Sequence, residues 1–445
     1  MRYSQSHSRT LCGQSRGFHS GALPRVGLAS LILAAVLLRV FLTIRYANLS
    51  DPILWEFGQI AKNLVATGTY SFSSPGVASA SMPPAYPLLI SAFYKTLEIG
   101  LAAHVALATM LLAFEAAIPL LVGWVAAQIW SREVGLVACV LSLFWPYLLI
   151  MSGRLHSVPI YTALLILACA ILFSERLTGY AKPCLCGLVL GAYANFRYEA
   201  ILFLLPFTYY MVYPRVYVNK PRYFRIGAVV MLLMGFAVFL TPWVARNYRV
   251  FGRFVLSTSV GQNLLMGHNE KATGAARSPW PTAQESRSEM IGIPSRSIEE
   301  LPHYNSASEE LLADKMHFNE AISFMAHHPE RELELAFRKV LFFLVVDFTH
   351  PVAGLWPVWA PSLLALLVGF LFFVRTGLGD IRQRVLWLLF AIQLAVAVVF
   401  FVVPRYRMVV DFIPLAFFSA WATNSLLPRM FQRGFSKKSH KLLKP

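Results

Sequence analysis

Apolar runs long enough to cross a bilayer recur from residue 26 to residue 426, separated by short basic loops and one long hydrophilic section. A hydrocarbon core about 30 Å thick takes roughly 20 apolar residues per helix. Inside it, backbone amides must find their partners within the fold, which leaves helices or closed barrels. Because these runs are continuous and do not alternate, they predict an all-α polytopic membrane protein. The expected architecture has about ten transmembrane helices, interfacial helices in the first exported loop and one large exported loop. Spans are expected at 26–44, 102–129, 135–151, 159–173, 185–194, 201–213, 226–244, 363–374, 385–403 and 409–426. The run 85–94 is too short and reads as an interfacial helix. The run 340–346, followed by Asp347, His350 and Pro351, reads as re-entrant or interfacial.

An apolar share of 57% with 14% charged residues excludes an ordinary soluble globule. The formal charge of +17 raises the question of nucleic acid. Residues 246–338, however, hold only 10 of the 39 Lys/Arg and as many as 12 of the 22 Asp/Glu. The basic excess therefore lies in the termini and short loops, which fits the positive-inside rule and contact with anionic membrane lipids, and excludes a nucleic-acid groove. The expected order is a cytoplasmic basic tail (1–25), an N-terminal transmembrane module (26–245) with a first exported loop at 45–100, an exported hydrophilic loop (246–338), a C-terminal transmembrane module (339–428) and a second cytoplasmic basic tail (429–445). No small-residue cleavage site follows the first span, so 1–25 reads as a tail and not as a signal peptide. Both termini are therefore expected on the cytoplasmic side. Of the five cysteines, Cys184 and Cys186 form the one close pair, and their spacing matches neither a zinc nor a redox motif. Oligomeric state is not encoded in any of these features.

Chemistry is expected in the first exported loop. Glu56 precedes the helical spacing Ile60-Ala61, Leu64-Val65, which Gly68 ends, so it should stand near a helix start. A carboxylate at headgroup level can act as a general base on a lipid-linked substrate, and Asp51 is the second such group; both could equally be solvated acids. Arg39 lies inside the first span, where it either snorkels or meets a lipid phosphate. Arg197 with Tyr198 and Glu199, Arg246 with Asn247 and Tyr248, and Arg405 with Tyr406 and Arg407 fall at the same level, enough cations to hold a phosphate leaving group. Glu115, near mid-membrane, is expected to make an inter-helix hydrogen bond. His268, His303, His317, His327 and His328 read as surface histidines.

The run Glu56…Ala61-Lys62-Asn63-Leu64…Gly68-Thr69-Tyr70-Ser71, then Ser79-Ala80…Pro83-Pro84-Ala85-Tyr86-Pro87-Leu88, resembles the first exported loop of the GT-C fold glycosyltransferases that depend on polyprenyl-phosphate sugars. These family-39-like enzymes are related to protein O-mannosyltransferases and to the aminoarabinose transferase of lipid A. Two further segments match in order: Pro242-Trp243…Arg246-Asn247-Tyr248…Phe251-Gly252, continuing through Ser257-Thr258 and Gly267-His268-Asn269 to Thr273-Gly274, and Pro404-Arg405-Tyr406-Arg407. The resemblance implies inverting transfer of a sugar from a polyprenyl-phosphate donor to a cell-envelope acceptor at the exported face, with Glu56 activating the acceptor and Asp51 as second choice. It implies phosphate-binding roles for Arg39, Arg197, Arg246, Arg405 and Arg407, and substrate-binding roles for Tyr86, Glu199, Asn247 and Tyr406. Relatives often carry a Ser-Glu-Pro-like step where this chain reads Leu155-His156-Ser157-Val158-Pro159, and some carry a basic residue where Met82 stands. The missing carboxylate leaves a divalent metal unassigned, with His156 as a substitute in that loop.

Two other classes use some of the same features. A carrier or flippase for polyprenyl-linked or other anionic lipids needs the arginines but not Glu56. An assembly scaffold needs only the hydrophilic loop.

Overall fold

The computed structural model describes residues 25–217, 220–275, 303–348 and 351–426. Both basic tails beyond Arg25 and Leu426, Cys12, His350 and part of the hydrophilic loop lie outside the described residues. The first span forms α1 (Arg25–Tyr46). In the loop that follows, α2 (Trp55–Thr67) ends on Gly68 at φ 72°, a left-handed conformation that costs glycine little. The Pro83-Pro84 pair then leads into α3 (Ala85–Leu97). That helix is the expected interfacial one, and it buries Tyr86, Ile90 and Tyr94 against Leu107 and Leu111 of α4 (Leu101–Ile129).

The expected span at 135–151 is broken into α5 (Arg132–Leu143) and α6 (Pro146–Ser152), bent by 47°. Pro146 explains the break, because its ring disfavours helical backbone at the preceding Trp145. Then come α7 (Val158–Phe173), α8 (Ala181–Ala194) and α9 (Ala200–Val212). Every residue of α7 except Leu164 and Leu167 is buried, as suits a helix apolar all round at the centre of a bundle. Helix α10 (Arg222–Phe251) packs on α8 through glycines. A Cβ at Gly187 would stand 2.1 Å from the Leu232 carbonyl, and one at Gly235 would stand 2.4 Å from the Cys184 carbonyl. Small residues of this kind let two membrane helices meet backbone to backbone.

Helix α10 runs past the expected end at 244, so Arg246, Asn247 and Tyr248 form its last turns and do not open the hydrophilic loop. That loop carries α11 (Val260–Gly267) and α12 (Ala307–His327), the latter started by Ser306, whose hydroxyl accepts from the Glu309 amide. The segment 340–346, expected to be re-entrant or interfacial, supplies the end of an amphipathic helix, α13 (Pro329–Leu344). The chain closes with α14 (Trp356–Thr376), α15 (Ile381–Val399), α16 (Pro404–Met408) and α17 (Phe412–Trp421). Among the described residues five helices (α1, α4, α10, α14 and α15) are long and apolar enough to cross a membrane, six if α5 and α6 count as one; α7, α8 and α9 are shorter apolar helices. Cys139, Cys169, Cys184 and Cys186 are free thiols.

Candidate active site

Glu56 stands in the first turn of α2, directly after Trp55, whose backbone is held at φ 48°. A bulky residue in the left-handed region is strained, and such strain persists where the surroundings over-determine it. Here the surroundings are aromatic. The rings of Trp55 and Phe57, on either side of Glu56, meet the His156 ring edge-on at centroid distances of 5.2 and 6.0 Å. Phe57 also packs on Tyr86 at 5.3 Å. The half-buried Glu56 carboxylate itself has no hydrogen-bond or ion-pair partner among the described residues.

His156 is the centre on which the elements converge. It lies in the turn between α6 and α7 and is almost fully buried, and burial together with Arg405, Arg197 and Arg154 holds its imidazole well below the usual histidine range. Arg197, between α8 and α9, is placed by Glu199, which accepts from its Nε at 2.5 Å, and by the Tyr406 ring 4.3 Å from its guanidinium carbon. Glu199 in turn accepts from the Tyr193 hydroxyl at 3.2 Å. Arg405, on α16, lies 5.9 Å from the Tyr406 ring and has no carboxylate partner among the described residues. Four separate segments (first loop, α6–α7 turn, α8–α9 turn and α16) thus bring the rings of Trp55 and Phe57, a neutral imidazole and guanidiniums together, with Glu56 between those two aromatic residues in the chain.

Other expected site residues are used elsewhere. Arg39 is 2% exposed and turned into the bundle, where its Nη1 donates to the Leu143 carbonyl at 2.8 Å and its Nε lies 3.8 Å from Glu115. Glu115 also accepts from Ser152, so the expected inter-helix bond is present and Arg39 is a buried partner in it, not a lipid-phosphate ligand. Arg246 donates to the carbonyls of Ser79 (2.6 Å) and Tyr70 (3.2 Å) and to the side chain of Asn247, which is fully buried and donates to Val255. Arg246 thus pins the first loop to α10, and Asn247 pins the chain that leaves α10. Arg407, 3% exposed, donates to the carbonyls of Phe343, Leu344 and Val345 and to Asp411, capping the C-terminal end of α13, where carbonyls lack helical partners. Tyr86, 1% exposed, donates to the Leu155 carbonyl at 2.8 Å and so fixes the backbone beside His156, without facing a substrate. Asp51 is exposed in a turn near Tyr94 and takes no part in the His156 group. His268 is buried, not on the surface: it bonds Glu332 at 2.6 Å and Lys339 at 3.0 Å and caps α15 at the Val399 carbonyl.

Sequence patterns give no sign of Arg154 or Glu310. Glu310 of α12 reaches back into the first loop and accepts from the Ser79 hydroxyl (2.9 Å), the Ala80 amide (3.3 Å) and Thr258. Burial raises its carboxyl above the usual range, and those donors draw it back down. Replacing Glu310 with Ala leaves these buried donors unpaired and is expected to cost about 2–4 kcal/mol of stability. The loss is measured as a lower unfolding temperature, with earlier protease cleavage at residues 70–82 than in wild type.

Among the described residues no three His, Cys, Asp or Glu side chains come together as a metal ligand set. Two small crevices, each with room for little more than water, are lined by Arg407 and by Asp411, and Glu56 lines neither.

This helical arrangement defines an integral membrane protein with a fold of the GT-C type. It is similar to the Archaeoglobus fulgidus oligosaccharyltransferase in its apo form, with a TM-score of 0.54 at 12% identity over 93% of this chain and 52% of that one. It is likewise similar to archaeal oligosaccharyltransferase AglB from Archaeoglobus fulgidus in complex with an inhibitory peptide and a dolichol-phosphate (TM-score 0.53, 12% identity, 92% and 52% covered). A complex of the Archaeoglobus fulgidus enzyme with Zn and sulfate gives a TM-score of 0.53 at 14% identity, covering 91% and 50%. The chain thus spans about half the length of these three solved structures, and identity this low shows the fold alone. No family model and no curated protein matches the chain.

Proposed function

We propose that this protein is a membrane glycosyltransferase, hexosyl or pentosyl, that moves a sugar from a polyprenyl-phosphate donor to a lipid, glycan or protein acceptor of the cell envelope. The observation that carries this is the half-buried Glu56 carboxylate, without a partner among the described residues and next in the chain to two aromatic residues that pack on His156, on which Arg197 and Arg405 act. In the proposed step Glu56 takes the proton of the acceptor hydroxyl or amine as that atom bonds to the anomeric carbon. The bond from that carbon to the phosphate oxygen breaks on the opposite side, and the polyprenyl phosphate leaves with the electron pair, which inverts the anomeric centre. Arg405 lacks an anionic partner among the described residues and stabilises the charge that grows on the leaving phosphate. Arg197, held by Glu199 and Tyr406, supports it. The similar archaeal oligosaccharyltransferase is seen with a dolichol-phosphate, and this favours a polyprenyl-phosphate donor here.

The same reading puts the site at the exported face of the plasma membrane with both termini cytoplasmic, because the basic excess lies in the tails and short loops. The test is mass spectrometry of envelope lipids and glycans from cells lacking the protein. One sugar is expected to disappear from the envelope while one polyprenyl-phosphate sugar accumulates. An unchanged envelope with no accumulated donor, in cells that normally make the protein, rejects the proposal.

A further inference from the structure

Tyr161, in the first turn of α7, is 1% exposed, and its hydroxyl has no hydrogen-bond partner among the described residues. Buried polar groups are nearly always paired, because an unpaired one loses its water and gains nothing. This one sits in a particular place. Its ring lies 5.8 Å from the Arg197 guanidinium carbon and 5.7 Å from the Tyr193 ring, and Arg197, Arg405, Glu199 and Tyr406 all act on it electrostatically. Two of those, Arg197 and Arg405, also act on His156, five residues earlier in the chain.

His156 adds a second donor. Its Nδ1 accepts from the Val158 amide at 3.2 Å, so the proton of the neutral ring is on Nε2. No protein acceptor among the described residues takes that proton. Both donors belong to the start of a 16-residue helix, whose dipole favours an anion there.

We propose that the start of α7 forms a phosphate subsite, in which the Tyr161 hydroxyl and His156 Nε2–H donate to the non-bridging oxygens of the donor's phosphate alongside Arg405. The hydroxyl is left unpaired in the ligand-free protein because the phosphate is its partner. This rests on the donor class proposed above, and it assigns to α7 two neutral ligands that discriminate by hydrogen bonding where the arginines act by charge.

The test uses the full-length protein in phosphatidylcholine nanodiscs with undecaprenyl phosphate as the probe. Tyr161→Phe is expected to weaken binding about tenfold or more, the size of a lost hydrogen bond to a charged group. It is also expected to raise the unfolding temperature of the lipid-free protein, because it removes an unpaired buried hydroxyl. A tyrosine with a merely structural role would give the reverse of that second result. Thr162→Val is the control. Thr162 also has an unpaired buried hydroxyl, but it lines the crevice beside Trp145 and Asp411, so its loss should raise the unfolding temperature and leave affinity unchanged. His156→Phe keeps a ring against Trp55 and Phe57 and should weaken binding as Tyr161→Phe does. Wild-type affinity in Tyr161→Phe, or a lowered unfolding temperature of its lipid-free form, overturns the subsite alone. If wild type takes up no undecaprenyl phosphate, the donor class fails and the subsite falls with it.

Discussion

Glu56→Gln lowers the rate of sugar transfer by about 10²–10⁴-fold, the range that removal of a positioned general base costs, while binding of the donor lipid stays at its wild-type level. Glutamine keeps the shape and hydrogen-bonding capacity of the side chain but cannot take a proton at neutral pH. The fold should not suffer, because the Glu56 carboxylate is half-buried and holds no protein partner among the described residues. Single-turnover transfer from a polyprenyl-phosphate sugar, with lipid binding measured separately, checks both halves of this expectation. Full transfer activity in Glu56→Gln would falsify the base assignment, whereas an equal loss of lipid binding and transfer would move Glu56 to the donor side. Asp51→Asn is the internal comparison. Asp51 is exposed and outside the His156 group, so its loss should change transfer little.

Arg405→Ala should lower kcat by about 10²–10³-fold, the usual cost of removing one preorganised group from a site of developing charge. The reason lies in the company each arginine keeps. Arg39, Arg246 and Arg407 already bond backbone carbonyls of the fold: Leu143, Tyr70 and Ser79, and Phe343, Leu344 and Val345, respectively. Arg197 is neutralised by Glu199 at 2.5 Å. Arg405 alone of the five expected phosphate ligands keeps its charge uncommitted to a carboxylate or carbonyl among the described residues. Arg405→Lys restores part of the rate, because a point charge replaces the charge but not the planar two-oxygen contact of a guanidinium. Arg407→Ala is expected to behave differently: it uncaps α13 and leaves Asp411 with Trp145 and Ser362 but no charge partner, so the loss shows first in stability. If Arg405→Ala transfers sugar at the wild-type rate, the leaving-group assignment is wrong.

Much of the scaffold is legible in the amino-acid sequence. The apolar runs mark the long helices, and the Glu56-to-Gly68 spacing marks α2 together with its left-handed end. Helix ends are harder to see. Nothing in the apolar count tells that α10 continues through Arg246 to Phe251, because those last turns are held by contacts to the first loop and not by their own hydropathy. The break at Trp145 is visible only as a proline, and it takes the 47° bend to make two helices of one apolar run.

Length and apolar periodicity are properties of a segment by itself, and bilayer thickness converts them directly into helices, so the sequence alone determined the helical membrane bundle and the place of Glu56 at a helix start. Whether an arginine is free to hold a substrate depends on which carbonyl or carboxylate reaches it, and for Arg39 and Arg246 those partners lie more than 100 residues away along the chain. Only the tertiary structure could therefore divide five similar cations into one left open, one paired beside it and three consumed by the fold. For the same reason only it could bring His156 and Tyr161 to that open charge.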